Sequence, residues 1–392
     1  MNNTKNTIIR NCRLFDSMQE KTSVVFNERI IYRGPDEYAV SFLGDGHSEI
    51  DAEGMVLCPG FIDIHNHGGA GNDFAVCDPE GMEKALRAHL VKGTTTVLPT
   101  AASASTKMIL DLYNTYRIVL KGPYADCVRG IHLEGPFLNP AKKGAMPEDL
   151  LRLPTEENYA PLLEEGSGIL KRMTIAPELP GAYELGEKLA KMGINVSAGH
   201  TEATPEVVRE ASKHGFNLAT HIFNAMTAMH KEGIFRKAGA AEAMLSDDSY
   251  YVEGISDCIH IPPEILRMCW QIKGTSKMIL ITDAISASGA DTKEGEKYAF
   301  VDSFIWVEDG IAKLPDRSAI AGSIACGISM LKSAVRAGIP FVDSVKMMTE
   351  TPAKLCGFDD IGKILPGYKA DLVLIDENND LRKVIKSGRT VV

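Results

Sequence analysis

The sequence predicts an α/β protein: a (β/α)8 TIM-type barrel carrying a small β-sandwich domain built from both chain termini. Three observations predict it. Eight apolar, strand-like runs lie between roughly residues 58 and 360. Helix-like stretches separate them. Short β-rich segments of one texture stand at both ends of the chain. The length of 392 residues fits one large barrel with an appendage.

Taken in order, Thr7–Ile9, Ser23–Phe26, Arg29–Tyr32 and Met55–Leu57 are rich in β-branched and aromatic residues. Turn signals such as Asn27-Glu28 and Gly34-Pro35 punctuate them. The runs Gly60–Ile64, Thr95–Leu98, Gly130–Leu133, Met173–Ala176, Ile194–Ala198, Leu218–Ile222, Tyr250–Ile255 and Met278–Ile281 follow. Between them Glu80–Val91, Thr106–Leu120, Ala182–Lys191, Pro205–His214 and Pro263–Gln271 have helical character. Repeated strand–helix alternation argues for parallel βαβ units, and eight of them close into a barrel. An open doubly wound sheet would fit the alternation too, but no GxGxxG follows an early strand. The chain ends with strand-like Asp371–Ile375, Val384–Lys386 and Thr390–Val392. We therefore expect residues 1–57 and 361–392 to form the sandwich, and 58–360 the barrel.

Composition narrows the function. Hydrophobic residues make up 44% and charged residues 24% of the chain, so a packed core is expected rather than disorder. A net charge of −10 gives no basic footprint for nucleic acid. No apolar run approaches the roughly 18 residues of a membrane span. Met1 to Asn11 is polar and lacks the apolar core of a signal peptide. The eight cysteines, Cys12, Cys58, Cys77, Cys127, Cys258, Cys269, Cys326 and Cys356, show no CxxC pair. They read as free thiols in a reducing compartment, and the expected location is cytoplasmic.

In such a barrel, chemistry sits at the C-terminal ends of the strands. His65-Asn66-His67 follows the first run and Glu134 the third. His200 follows the fifth, His221 lies in the sixth, Asp257 to His260 follows the seventh, and Asp283 follows the eighth. Polar residues are costly at the end of a buried run. Their recurrence at one level makes a ring of metal-ligand types: His65, His67, Glu134, His200, His221 and Asp283. His65 and His67, two apart on a strand, share a face. Imidazole and carboxylate suit zinc or iron, and a site without thiolates suits catalysis better than structure. A metal lowers the pKa of its water, so hydroxide is available near neutral pH. Asp283 can take the nucleophile's proton and return it to a leaving group.

These residues carry a resemblance. His65–Gly69, His132–Phe137, Ala176–Glu178, Gly199–Thr201, Thr220–Met226, Leu280–Ala284, Ala321–Ser323, Pro352-Ala353 and Gly362–Asp371 resemble, in order along nearly the whole chain, the N-acetylglucosamine-6-phosphate deacetylases of the amidohydrolase superfamily. The resemblance implies hydrolysis of the acetamide of N-acetylglucosamine 6-phosphate to glucosamine 6-phosphate and acetate, with metal-bound hydroxide as nucleophile. It implies that Glu134, His200 and His221 bind one divalent ion. His65 and His67 would bind a second, with Glu134 bridging. Asp283 would be general base and acid, and His260 would contact the substrate and polarise its carbonyl. Asn224 and Ala225 would lie against the sugar phosphate. A homodimer is expected.

Three departures bear on the substrate. The family's Arg-x-Pro-Gly turn, whose arginine grips the phosphate, is replaced by His230–Gly239, where Arg236 is the candidate to take over the clamp and an exposed basic loop is the alternative. Ala145 stands where a histidine usually approaches the substrate, with Lys142 and Lys143 nearby, and Cys258 replaces a usual glycine. An N-acetylgalactosamine 6-phosphate or an unphosphorylated sugar is therefore the alternative substrate. A cyclic-amide hydrolase is disfavoured, because Glu134 stands where such enzymes often carry a modified lysine. A non-catalytic sugar-phosphate sensor is disfavoured by the complete ligand set.

Overall fold

The computed structural model describes residues 5–18, 22–44, 46–290, 292, 295–301 and 303–392. Of the polar N-terminal stretch, residues 1–4 lie outside the described residues.

Eight parallel strands form the central sheet: Phe61–Asn66, Thr94–Ala101, Ile131–Glu134, Leu170–Ile175, Asn195–Ala198, Phe216–Ala219, Tyr251–Ile255 and Met278–Ile281. They stand side by side in chain order. The eighth returns to the first: the Asp283 N–H donates to His65 O at 3.0 Å, and the His67 N–H to Ala284 O at 2.6 Å. This is the expected barrel. Ile62, Ile64, Leu98, Leu218, Ile255 and Ile281 pack together within it, with Ala353 and Leu355 of the helix Glu350–Cys356.

Local sequence explains the helix starts. Asp78 caps Pro79–Leu90 by accepting the Gly81 N–H at 2.7 Å. Ser105 does the same for Thr106–Val119, and Thr204 for Pro205–Lys213. Pro79 and Pro205 occupy first helical positions, where a missing N–H costs nothing. Additional helices cover Glu156–Glu165, Ala240–Ser246, Gly327–Arg336 and Phe341–Met347. A three-stranded antiparallel insert, Lys297–Phe300, Ser303–Glu308 and Ile311–Lys313, interrupts the chain after the eighth strand.

The two ends of the chain meet in one further sheet. Its path runs from Arg389–Thr390 through Leu381–Lys386, Leu372–Ile375, Val56–Pro59 and Thr7–Leu14 to Thr22–Phe26 and Ile30–Pro35. Thr7–Leu14 serves both halves. Its start pairs with Thr22–Phe26 and, in parallel, with Ser48–Asp51; its end pairs with Val56–Pro59 beyond an irregularity at Ile9 to Cys12. Ser48–Asp51 is a strand with no apolar signal: SEID, largely exposed. Gly388 marks how close the termini come. A Cβ there would lie 1.8 Å from Asn27 O, and its φ of +76° favours glycine. No helix among the described residues is long and apolar enough to cross a membrane.

Candidate metal centre and active site

The donors converge at the C-terminal mouth of the barrel. Glu134, at the end of the third strand, is the hub. Its Oε1 lies 3.0 Å from His200 Nε2 and 2.7 Å from His221 Nε2. Its Oε2 lies 3.1 Å from His67 Nε2 and 3.4 Å from His65 Nε2. The two histidine Nε2 atoms of the first strand are 3.2 Å apart. Asp283 Oδ1 completes this side, 3.2 Å from His67 and 3.4 Å from His65. His65–His67–Glu134 and Glu134–His200–His221 thus form two donor triads sharing one carboxylate.

These residues fit divalent ions. Two ligands about 2.0–2.1 Å from a tetrahedral ion stand roughly 3.3 Å apart, and the donor separations cluster there. The charge balance agrees. Burial would pull the His65 and His67 imidazoles down, yet Glu134 and Asp283 push them up to about 10 and about 9. Burial opposes ionisation of Glu134, but His65, His200 and His221 hold it well below the usual carboxylate range. Against burial, His65 and His67 likewise hold Asp283 down. Carboxylates that draw protons this strongly onto buried imidazoles have a demand for cationic charge.

The backbone at these positions is unusual. His200, His221, Ala225, Cys258 and Asp283 have φ of 49°, 28°, 49°, 61° and 48°, a region L-residues seldom occupy. His221 was expected within the sixth strand, but the strand ends at Ala219. The turn that follows aims its ring at Glu134, and a strand continuing through it would not hold the left-handed φ seen there.

Asp257 holds the other wall. It accepts the Ile259 and His260 N–H groups at 2.9 and 3.0 Å, and its Oδ2 lies 2.7 Å from His260 Nδ1. Burial lowers the His260 imidazole, but Asp257, with help from Asp283, raises it on balance. His260 Nε2 is buried without a hydrogen-bond partner. A cleft of about 320 Å³ opens here, lined by His67, Glu134, His200, His221, His260 and Asp283.

Residues 56–391 match the amidohydrolase family. The chain belongs to that family. It is a hydrolase of the type found in the N-acetylglucosamine-6-phosphate deacetylases. The Lysinibacillus sphaericus N-acetylglucosamine-6-phosphate deacetylase is 31% identical over 88% of this chain and 87% of its own. An Escherichia coli O157:H7 N-acetylgalactosamine-6-phosphate deacetylase is 28% identical over 87% and 89%. Among solved structures, the Pasteurella multocida N-acetylglucosamine-6-phosphate deacetylase superposes with a TM-score of 0.90 at 27% identity, covering 98% and 99% of the chains. A variant of the Mycobacterium smegmatis enzyme in complex with N-acetyl-D-glucosamine-6-phosphate superposes at 0.88 and 27%, covering 99% of each.

In this amidohydrolase the remaining expected residues divide. Asn224, Ala225 and Ala145 line the cleft beside the donors. Arg236 does not. It sits on an exposed hairpin of His230–Glu232 and Phe235–Lys237, whose tip also exposes Ile234 and Phe235. The described lining contains no Lys or Arg. Apolar walls come from Met146, Ile259, Ile285 and, from the insert and the loop after it, Phe300 and Ile320. Two buried residues beneath the donors escaped the sequence reading. Arg172 lies one residue before an expected strand, and Glu253 within one. A charge inside an otherwise apolar barrel run was the available signal.

Proposed function

We propose that this chain removes the acetyl group of N-acetylglucosamine 6-phosphate, releasing glucosamine 6-phosphate and acetate. The observation that carries the reading is the arrangement around Glu134: two donor triads with the Asp283 carboxylate and the free His260 Nε2 in the same cleft. The named relatives act on such sugars, which supports the substrate class.

His200, His221 and Glu134 would hold one divalent ion, zinc or iron, and His65, His67, Glu134 and Asp283 a second. A divalent ion there supplies Lewis-acid activation of water and of the amide carbonyl. The protein's residues do the rest. Asp283 accepts the proton of the attacking water and delivers it to the amide nitrogen. An amine leaves poorly unless it is protonated, so this delivery decides C–N cleavage. His260 commits Nδ1–H to Asp257, so its Nε2 carries a proton in the charged ring and donates it to the developing oxyanion. Asn224 and Ala225 seat the sugar, with Ala145 leaving room at the wall. Phe300 and Ile320 exclude water.

Arg236 is our proposed phosphate clamp, reached from the exposed hairpin. The lining without Lys or Arg favours a second reading, an unphosphorylated N-acetyl sugar. N-acetylgalactosamine 6-phosphate is the further alternative. We also read the molecule as a cytoplasmic homodimer with its metal-dependent part over 58–360. The unpaired cysteines and the apolar hairpin tip support this.

The test is amine release from N-acetylglucosamine with and without its 6-phosphate, on metal-loaded protein. We expect the phosphate to raise kcat/KM at least about 100-fold, roughly 2.7 kcal/mol of transition-state binding. No difference would move the reading to the unphosphorylated sugar. In the same assay Asp283→Asn should lower kcat by about two to four orders of magnitude. Undiminished turnover would remove Asp283 from its role.

A further inference from the structure

The donor ring rests on a buried ion pair. Arg172, in the fourth barrel strand, is the largest of the fully buried side chains described. Glu253, in the seventh strand, is equally buried. Arg172 Nη1 donates to Glu253 Oε1, and Nη2 to Oε2 at 2.8 Å. The remaining donors are also used: Nε on Ser197 Oγ at 2.8 Å, Nη2 on Thr220 Oγ1 at 3.1 Å, and Nη1 on Ile64 O at 3.2 Å.

Such a barrel interior is ordinarily filled by branched aliphatic residues. A buried pair is often no more stabilising than apolar residues of similar volume. Stability therefore does not account for it. Its other contacts do. Glu253 Oε2 faces His65 Nδ1 at 3.3 Å and accepts the backbone N–H of His221 at 3.2 Å. Among the four histidines around Glu134, His65 alone has a carboxylate behind its ring. His200 Nδ1 meets only the Lys142 carbonyl, at 2.8 Å, and Nδ1 of His67 and of His221 is buried without a partner.

We propose that the Arg172–Glu253 pair is a positioning device for His65. Glu253 accepts the hydrogen bond of His65 Nδ1–H, which keeps the ring proton on Nδ1, leaves the Nε2 lone pair facing Glu134 and Asp283, and strengthens divalent-ion binding by the His65–His67 side. Arg172 fixes the carboxylate so that it can do so. The inference rests on the two-ion reading above. Neither residue touches substrate; both act through His65.

Glu253→Gln reverses the pattern. The amide oxygen goes to the guanidinium, so the amide NH2 faces His65 Nδ1 and favours the tautomer with its proton on Nε2, the atom needed as ligand. The experiment titrates apoprotein with Co²⁺, reading visible absorption and bound-metal stoichiometry, with no substrate present. Parent, Glu253→Gln, His65→Ala and the double variant are compared. We expect Glu253→Gln to weaken one equivalent about 10–100-fold. In the His65→Ala background it should change the remaining equivalent much less, leaving only the effect of the lost acceptor for the His221 N–H, because coupled residues are non-additive. An equal loss with and without His65 would overturn the inference, as would no loss at all. If His65→Ala removes no equivalent, the two-ion reading itself fails. Arg172→Met/Glu253→Met guards against misfolding, since it leaves no unpaired charge. It should melt close to the parent yet keep the metal-binding defect; recovery of parent affinity would reduce the pair to packing.

Discussion

At the scale of single residues, His260 is the group whose titration the site sets most plainly. Its Nδ1 is engaged by Asp257, so only the charged ring carries an Nε2 proton to offer into the cleft. Its pKa is raised, so the charged form persists to higher pH and is lost as pH rises through that value. Asp257→Asn removes the largest raising influence. We expect the basic limb of the pH profile of kcat/KM to move to lower pH, with the acidic limb unchanged. A basic limb that stays in place would show that it reports another group. His65, His67, Glu134 and Asp283 were legible in the sequence because metal-ligand types are rare at the ends of apolar runs. Arg172 and Glu253 were not, because a period-two reading tells inward from outward but not that inward residues of the fourth and seventh strands meet.

At the scale of elements, the closing strands were legible from their β-branched texture, but what fastens them was not. Lys386 Nζ lies 2.7 Å from Asp371 Oδ2, and the two side chains are 6% and 2% exposed. The other carboxylate oxygen accepts the Ser387 N–H at 2.8 Å. Lys386→Met would leave a buried carboxylate without its cation. We expect a loss of about 3–5 kcal/mol in chemical denaturation, and recovery of most of it when Asp371 is also made apolar. A loss under about 1 kcal/mol would mean that water reaches the carboxylate. Ser48–Asp51 and the insert at 297–313 went unseen for opposite reasons. The first is an exposed edge with no apolar face to announce it. The second lies beyond the eighth strand, where the alternation had already been satisfied. The positive φ values at His200, His221 and Asp283 show tertiary structure overriding local preference. Each costs on the order of 1–3 kcal/mol and is held by hydrogen bonds to other segments: the Asn139 N–H donates to His200 O, the His221 N–H to the Glu253 carboxylate, and the Asp283 N–H to His65 O.

At the scale of the whole molecule, the barrel was legible because eight strand–helix units alternate along the chain, and eight such units close into a barrel with its strands in chain order. Where Arg236 stands was not, since it is carried by an exposed hairpin rather than by the barrel. The carboxylates and imidazoles around Glu134 come from strand ends all around the barrel, so an ion held there would tie the entire fold together. We expect a chelator to abolish hydrolysis and lower the melting temperature, and a divalent ion to restore both. A ligand at a hundredfold excess over its Kd adds about 2.7 kcal/mol. Unchanged melting after the metal content has been shown to fall to zero would contradict this.

The sheet that joins the two ends of the chain has a consequence during synthesis. The buried strand Val56–Pro59 gains its second neighbour only when Leu372–Ile375 has left the ribosome. That is more than 300 residues later, on the order of 15–60 s at roughly 5–20 residues per second. Throughout translation one edge of VLCP stands open to any passing strand. A nascent chain of this enzyme is thus most exposed to wrong pairing at its own beginning, and slow codons late in the message would lengthen that exposure.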